Sequence, residues 1–516
     1  MELRDHIRAG AGTCDLTIRG ERQRVEDLTT RGSEVVAAAC RLASAGAVAT
    51  VLDNSAAAAM VVLGAIDAGL PLISLPARPS SQAVVDYGYD LDLLLSQCGD
   101  VALVGLDDGT LAAIGAASEE RMRNAEHVEP TELAATDGFA LVQFTSGTTG
   151  RPRGLVVSPT SLMASITATL ERISAAPGDQ SCSWLPLGHD MGLVGMFLTP
   201  LVSASPQLLG ATGCDLMAPT EFLRKPARWL DRLASTQATV TAAPDSALRH
   251  VLRVTSTATA SGDLGRLRSL IVGGEVNRPS TMAGVTGLLT SLGASAGALC
   301  PAYGMAEAGL AVSVSGPGEG FRVVSAALPD DERGELHAWV AAGAPLSGYQ
   351  VEARDPNGRL DVAGPGLANS YLDGTPVADA DGFCATSDIG RIEPDGSVIV
   401  MGRVDDTLVL NGRNVSAALV DRSLHDAPGV RAHRAYACML TDGSWALVAE
   451  LKAEPEERLK LLQELRRRAT VTTGASPDVV VAARANSIPF TTSGKLQRSK
   501  LGRLVASGDL PEMLRL

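Results

Sequence analysis

Residues 141–154 read LVQFTSGTTGRPRG, an apolar run that opens into hydroxyl groups, glycines and two arginines. Thr145, Ser146, Thr148 and Thr149 offer O–H donors, and Gly147, Gly150 and Gly154 let backbone N–H groups approach an anion closely. Arg151 and Arg153 add positive charge. Such a set suits the oxygens of a phosphate chain. It is not a Walker loop, because no Gly-Lys-Ser/Thr closes it. Taken alone, the segment also fits an ordinary glycine turn.

Further segments carry groups with chemistry. In SWLPLGHDMGLVG (183–195), His189 lies among apolar residues. It suits a substrate contact or a paired core histidine, and no second His or Cys stands at zinc-ligand spacing. LRSLIVGGE (267–275) is a strand pattern ending on Gly273 and Gly274, which would let a ligand pass close to the backbone or simply make a β–α turn. PAYGMAEAGLAVS (301–313) offers Glu307, a hard oxygen donor of the kind magnesium takes. In ATSDIGR (385–391), Asp388 is an acceptor with several lone pairs, followed by GRVDD (402–406) and NGRN (411–414). PFTTSGKLQR (489–498) sets Lys495 on a glycine-bearing loop that can enter a cleft and withdraw. A surface helix, a hairpin and a solvated lysine remain alternatives for the last three. GASAG (293–297) has the spacing of a nucleophile elbow, but 281–292 reads as helical or irregular where a strand is needed, so a hydrolase is not supported.

In this order, from about 141 to 498, the segments resemble the signature of the adenylate-forming superfamily, which includes acyl- and aryl-CoA synthetases, luciferases, peptide-synthetase adenylation domains and fatty acyl-AMP ligases. The HDMGL stretch and the Ala-Glu-Ala around Glu307 resemble fatty acyl-AMP ligases most. The family usually carries Lys where this chain has Arg153, and Gly where it has Ser387.

The resemblance implies ATP and Mg²⁺ as cofactors. Phosphate contacts fall to Thr145, Ser146, Gly147, Thr148, Thr149, Gly150 and Arg153. The rest of the nucleotide falls to Gly274, Glu275, Tyr303, Gly304, Met305, Asp388 and Arg403, with Tyr303 against adenine and Asp388 on the ribose hydroxyls. Glu307 would hold the metal. The acyl pocket would use His189, Asp190, Met191, Gly195, Gly273 and Gly304. Lys495, with His189 and Glu307, would carry catalysis, and Asp405 would be the hinge. The implied reaction activates a carboxylic acid as acyl-AMP and passes the acyl group to the phosphopantetheine thiol of an acyl carrier protein. Acyl-CoA or amide formation, and a non-catalytic adenylate-binding module, are the alternatives.

Positioning these groups requires an α/β scaffold. Residues 47–52, 101–106, 139–144, 238–242 and 267–272 read as buried strands, and 33–45 and 221–234 as helices. That alternation predicts a large N-terminal domain with parallel-rich sheets and flanking helices, with ligands beyond the carboxyl ends of the strands. After Arg403 the pattern changes. Residues 398–401, 407–410 and 445–451 read as strands, Asn411-Gly412 as a hairpin turn, and 456–469 as a helix with Arg466, Arg467 and Arg468 in its last turn. Domains of 1–404 and 405–516 follow, the second a small mobile α+β unit. The arginine triplet could also dock an acidic carrier protein.

Of 516 residues, 45% are apolar and 20% charged, the balance of a folded chain too long for one core. A net charge of −14 with only 3% aromatics argues against a nucleic-acid surface. The eight cysteines are scattered without a CxxC pair, as in a reducing cytoplasm. The apolar run 56–66 meets Asp67 and is too short to span a bilayer, and the first residues lack a secretory h-region. A cytoplasmic protein without stable membrane insertion is expected.

Overall fold

The computed structural model describes residues 1–78, 84–123, 138–145, 153–255, 262–327, 336–355, 358–410, 413–425, 427–490 and 496–516. The fold is α/β, with two large sheets, a four-stranded antiparallel sheet and a smaller C-terminal domain.

The nine-stranded sheet has a parallel centre. Strands Leu299–Gly304, Ser269–Val272, Val240–Ala243, Asp179–Ser183, Thr212–Leu216 and Cys14–Ile18 run side by side, with antiparallel edges. The six-stranded sheet is parallel across Val101–Leu103, Ala47–Val51, Leu72–Leu75 and Leu141–Thr145. It then turns antiparallel through Arg153–Val157 and Ser370–Tyr371. The expected strands are present. The helix read at 221–234 is two helices, Pro219–Arg224 and Ala227–Ser235, because Pro226 cannot continue the first.

Apolar helix faces join the sheets. Helices Val25–Ala43 and Ala56–Ala68 touch backbone to backbone: a Cβ on Gly32 would stand 2.1 Å from the Met60 carbonyl oxygen, and one on Gly64 2.1 Å from the Gly32 carbonyl carbon. Their buried residues share one core with Leu72, Leu141, Leu187 and Phe197. Among the described residues no helix is long and apolar enough to cross a membrane. All eight cysteines are free thiols, and seven are buried.

In the C-terminal part, strands Val430–Met439, Trp445–Leu451, Val479–Ala483 and Glu512–Arg515 form one sheet with a core on each face. Asn411-Gly412 lies outside the described residues, but the flanking strands Thr407–Leu410 and Arg413–Ser416 pair antiparallel as a hairpin requires. The expected 456–469 helix runs from Pro455 to Thr473 and ends on left-handed Gly474. The arginine triplet therefore stands one turn inside the helix rather than in its last turn. Arg467 and Arg468 bond Glu464, and Arg466 donates to the Leu516 carbonyl. Their charges are met within the domain.

Candidate active site

The segment expected to hold phosphate joins two paired strands. Strands Leu141–Thr145 and Arg153–Val157 pair with Thr145 opposite Arg153, so these two residues flank the mouth of the turn. Ser146, Gly147, Thr148, Thr149 and Gly150 lie outside the described residues, as does Lys495. The Arg153 guanidinium lies 3.6 Å from the Tyr371 ring centroid, and its Nη2 is 3.0 Å from Asp373 Oδ2.

The expected nucleotide residues converge from three elements. Strand Leu299–Gly304 delivers Tyr303, strand Cys384–Ile392 delivers Asp388, and strand Val398–Arg403 delivers Arg403 directly opposite Asp388. The Tyr303 hydroxyl donates to Asp388 Oδ2 at 2.8 Å, and Arg403 Nε is 3.5 Å from Asp388 Oδ1. Tyr303 is buried, and burial together with the Asp388 charge pushes its phenol well above the ordinary range. Arg403 is about half exposed, its side chain keeping 48% of its accessible surface.

Glu307 follows in the turn after Gly304. Burial pushes its carboxyl up; Asp388 and Asp190 push the same way, against its own backbone amide and Arg403. Asp190, Glu307 and Asp388 thus bring negative charge together, with Arg403 opposing it. A hard divalent cation offsets such an excess, and magnesium takes one or two protein carboxylates and completes its shell with phosphate and water. The residues therefore fit magnesium, and Glu307 is the carboxylate that would hold it. Among the described residues no three His, Cys, Asp or Glu side chains cluster as a complete metal cage.

The expected acyl-pocket segments also meet. Asp190 accepts from the Met191 N–H at 2.7 Å and opens a π-helical stretch, Met191–Leu198, that continues as Thr199–Ser203. Gly195 on that stretch faces Leu310, whose Cδ2 is 3.3 Å from where a Cβ would stand. A Cβ on Gly304 would stand 2.1 Å from the Leu310 carbonyl oxygen, so no larger residue fits there. Gly273 lies against Ala302 on the neighbouring strand. His189 sits just before the π-helical stretch, partly buried, its carbonyl accepting from Leu193 N–H at 2.8 Å.

Glu275 is placed differently from the expected nucleotide contact. Its carboxylate accepts from the Ser246 N–H at 2.9 Å and the Ser246 hydroxyl at 2.8 Å, filling orphan donors at the start of helix Asp245–Val254. Gly274 in that turn is exposed, at φ +79°. The GASAG decoy follows the helix Pro279–Ser291 instead of a strand, and no elbow forms.

Residues 34–372 match the family of AMP-binding enzymes. The chain belongs to this family. The AMP-binding enzyme is thereby a ligase of the adenylate-forming class that uses ATP. It is 28% identical over 415 residues to the medium-chain-fatty-acid–[acyl-carrier-protein] ligase JamA of Moorena producens, a match covering 70% of this chain and 67% of that one. It is 29% identical over 410 residues to the long-chain-fatty-acid–AMP ligase FadD26 of Mycobacterium tuberculosis, covering 70% and 69%. In fold it is similar to a solved fatty acyl-adenylate ligase from work on the E. coli and L. pneumophila enzymes, at a TM-score of 0.82 and 23% identity over 98% of both chains. It is also similar to McyG A-PCP in complex with phenylalanyl-adenylate, at a TM-score of 0.79 and 18% identity over 98% of this chain and 83% of that one.

Asn54 is a site-building residue that the motifs did not single out. It is fully buried with φ +59°, a conformation Asn tolerates better than most residues. Its Nδ2 donates to the Leu185 and Met217 carbonyls at 2.9 and 3.0 Å, and its Oδ1 accepts from the Leu187 N–H at 2.8 Å. It straps down the segment that leads into His189. A polar Asn closing an apolar strand was the available signal. Asn54→Ala is expected to destabilise the AMP-binding enzyme by about 1–3 kcal/mol, because three backbone groups lose their partner. Urea unfolding measures this; an unchanged midpoint would remove the strap.

Proposed function

We propose that this enzyme activates a fatty or related carboxylic acid as acyl-AMP and passes the acyl group to the phosphopantetheine thiol of an acyl carrier protein. The observation that carries the reading is the convergence of Tyr303, Asp388, Arg403 and Glu307 beside the mouth of the Thr145–Arg153 hairpin. The activities for which JamA and FadD26 are named support the acid, and that of JamA the carrier-protein acceptor.

In the first step a carboxylate oxygen attacks the α-phosphorus of ATP; the new P–O bond forms as the bond to pyrophosphate breaks. This needs placement and charge neutralisation rather than an enzyme nucleophile. Tyr303 lies against the adenine and Asp388 accepts from the ribose hydroxyls. The loop residues, Thr145 and Arg153 hold the phosphates. His189 meets the acyl carboxylate, and Lys495 stabilises charge on the α-phosphate and the attacking oxygen. Glu307 would hold magnesium, which would neutralise phosphate charge. In the second step the carrier thiol attacks the acyl carbonyl and AMP leaves. Domains of 1–404 and 405–516, hinged at Asp405, would exchange the lysine loop for the carrier between steps. The free, scattered thiols suit a cytoplasmic setting.

Acid-dependent ATP–pyrophosphate exchange tests the first step, and acyl transfer to holo carrier protein against CoA and amines tests the second. No exchange across aliphatic and aromatic acids would sink the reading. The raised carboxyl of Glu307 carries a pH prediction. Ligation needs the ionised form, so the acidic limb of the exchange profile is expected above the ordinary carboxylate range. Glu307→Gln should flatten that limb and raise the magnesium requirement.

A further inference from the structure

The turn that carries Gly273 and Gly274 reaches the C-terminal domain through Arg278. The turn closes on itself: Asn277 Nδ2 donates to the Val272 carbonyl at 3.0 Å, and the Arg278 N–H donates to Asp245 Oδ1 at 3.0 Å. Arg278 is thereby fixed at the start of the helix Pro279–Ser291. Asp245 is held from its own helix as well, by Arg249 Nε at 2.9 Å. The Arg278 side chain is only 21% exposed, and its Nε stands 3.9 Å from Asp245 Oδ2. Its Nη1 lies 3.1 Å from Nδ1 of His425, which ends the helix Ala417–His425 of the C-terminal domain and is itself buried. A guanidinium can only donate, so this imidazole nitrogen accepts.

From His425 the packing continues to the base of the lysine loop. The His425 and Tyr436 rings meet edge to face with centroids 5.5 Å apart, and Tyr436 meets Phe490 in the same way at 5.8 Å. Phe490 in turn bridges Leu496. An orientation of the C-terminal domain that bonds His425 to Arg278 therefore sets the base of that loop one ring away from the contact. We propose that Arg278 is a positioning residue: by donating to His425 it seats the C-terminal domain against the turn after Gly274, in the orientation that serves acyl-adenylate formation. Breaking this bond releases the domain for the second step. The proposal rests on the two-step reading and on the role given there to the lysine loop, and it adds the residue that sets the domain for the first step.

The two half-reactions of the full-length enzyme separate this role from a merely structural one. Arg278→Met keeps an unbranched side chain and removes the donors. It should slow ATP–pyrophosphate exchange about tenfold, the scale of one lost hydrogen bond to a charged group. Transfer from ready-made acyl-adenylate to holo carrier protein should keep the parent rate. His425→Leu should match Arg278→Met, and the double variant should lose no more than either alone, as for two residues acting through one contact. His425→Asn sets an acceptor oxygen close to the position of Nδ1 and should hold exchange close to the parent rate. Small-angle scattering reads the docking without catalysis: the parent should fit the docked arrangement, and Arg278→Met should require a mixture of domain orientations.

Exchange and transfer that fall together, full additivity in the double variant, or scattering of Arg278→Met identical to the parent overturns the proposal. So does a loss in His425→Asn as large as in His425→Leu. If Arg278→Met fails to fold, the two His425 variants still decide it. A parent that exchanges with no acid refutes the acid-activating reading instead, while scattering continues to report on the contact.

Discussion

Lys495→Ala is expected to lower the rate of acyl-adenylate formation by about a hundred- to a thousandfold, the usual loss when one preorganised donor to a developing charge is removed. Lys495 itself lies outside the described residues, but the two ends of its loop are held together. Phe490 bridges Leu496, and the Gln497 N–H donates to the Pro489 carbonyl at 3.0 Å. Arg434 lies over the Phe490 ring at 4.3 Å and braces that base. A lysine on a loop can serve one step and leave for the next. Nucleotide binding should change far less than turnover, and transfer from adenylate supplied ready-made should survive. Exchange at the parent rate in Lys495→Ala would refute the assignment.

The second large effect is on stability. Arg498, on the helix Arg498–Ser507, is nearly fully buried and bonds Asp406 Oδ1 at 2.9 Å and Asp421 Oδ2 at 2.8 Å, as well as the Ala437 carbonyl. Burial works against the guanidinium charge, but the two carboxylates outweigh it and hold its proton more tightly than usual. Asp421 is 4% exposed and also accepts from the Ala437 N–H at 2.8 Å. Arg498→Met would leave that carboxylate buried without its cation, at a cost of about 3–5 kcal/mol. Adding Asp421→Asn should recover part of the loss. The pH dependence has a definite sign. Burial raises the Asp421 carboxyl even with Arg498 present. Without Arg498 the folded state holds this proton more tightly than the unfolded state, so stability falls as pH rises above the unfolded value. The deficit of Arg498→Met should narrow toward acid pH. Urea unfolding of the C-terminal transition at two pH values checks both points, and a uniform deficit would refute the charge explanation.

Strand–helix alternation made the parallel sheets legible, and 445–451 is a strand over that span because its apolar run is buried on both faces. Short motifs made the candidate residues legible, and the structure brings Tyr303, Glu307, Asp388 and Arg403 together from separate segments. What the sequence concealed depends on contacts between distant segments. Tyr371 and Asp373 reach Arg153 across 218 and 220 residues, differences of 371 − 153 and 373 − 153 in the numbering, and nothing local marks them. Asn54 reads as a turn residue until Leu185, Leu187 and Met217 are seen around it. Glu275 looked free for a ligand because the helix it caps, Asp245–Val254, lies 30 residues earlier, from 275 − 245. Helix ends were misjudged where the stop is a left-handed glycine, as at Gly474.

The Gly32–Gly64 crossing has a consequence for how such an enzyme can be altered. Two helices in backbone contact accept no added methyl group, so adaptive change in substrate preference has no foothold there. In the proposed acyl pocket, added room would come from side chains such as Leu310, whose Cδ2 lies 3.3 Å from where a Cβ on Gly195 would stand. Trimming Leu310 rather than enlarging either glycine is the route by which a library would reach longer or branched acids.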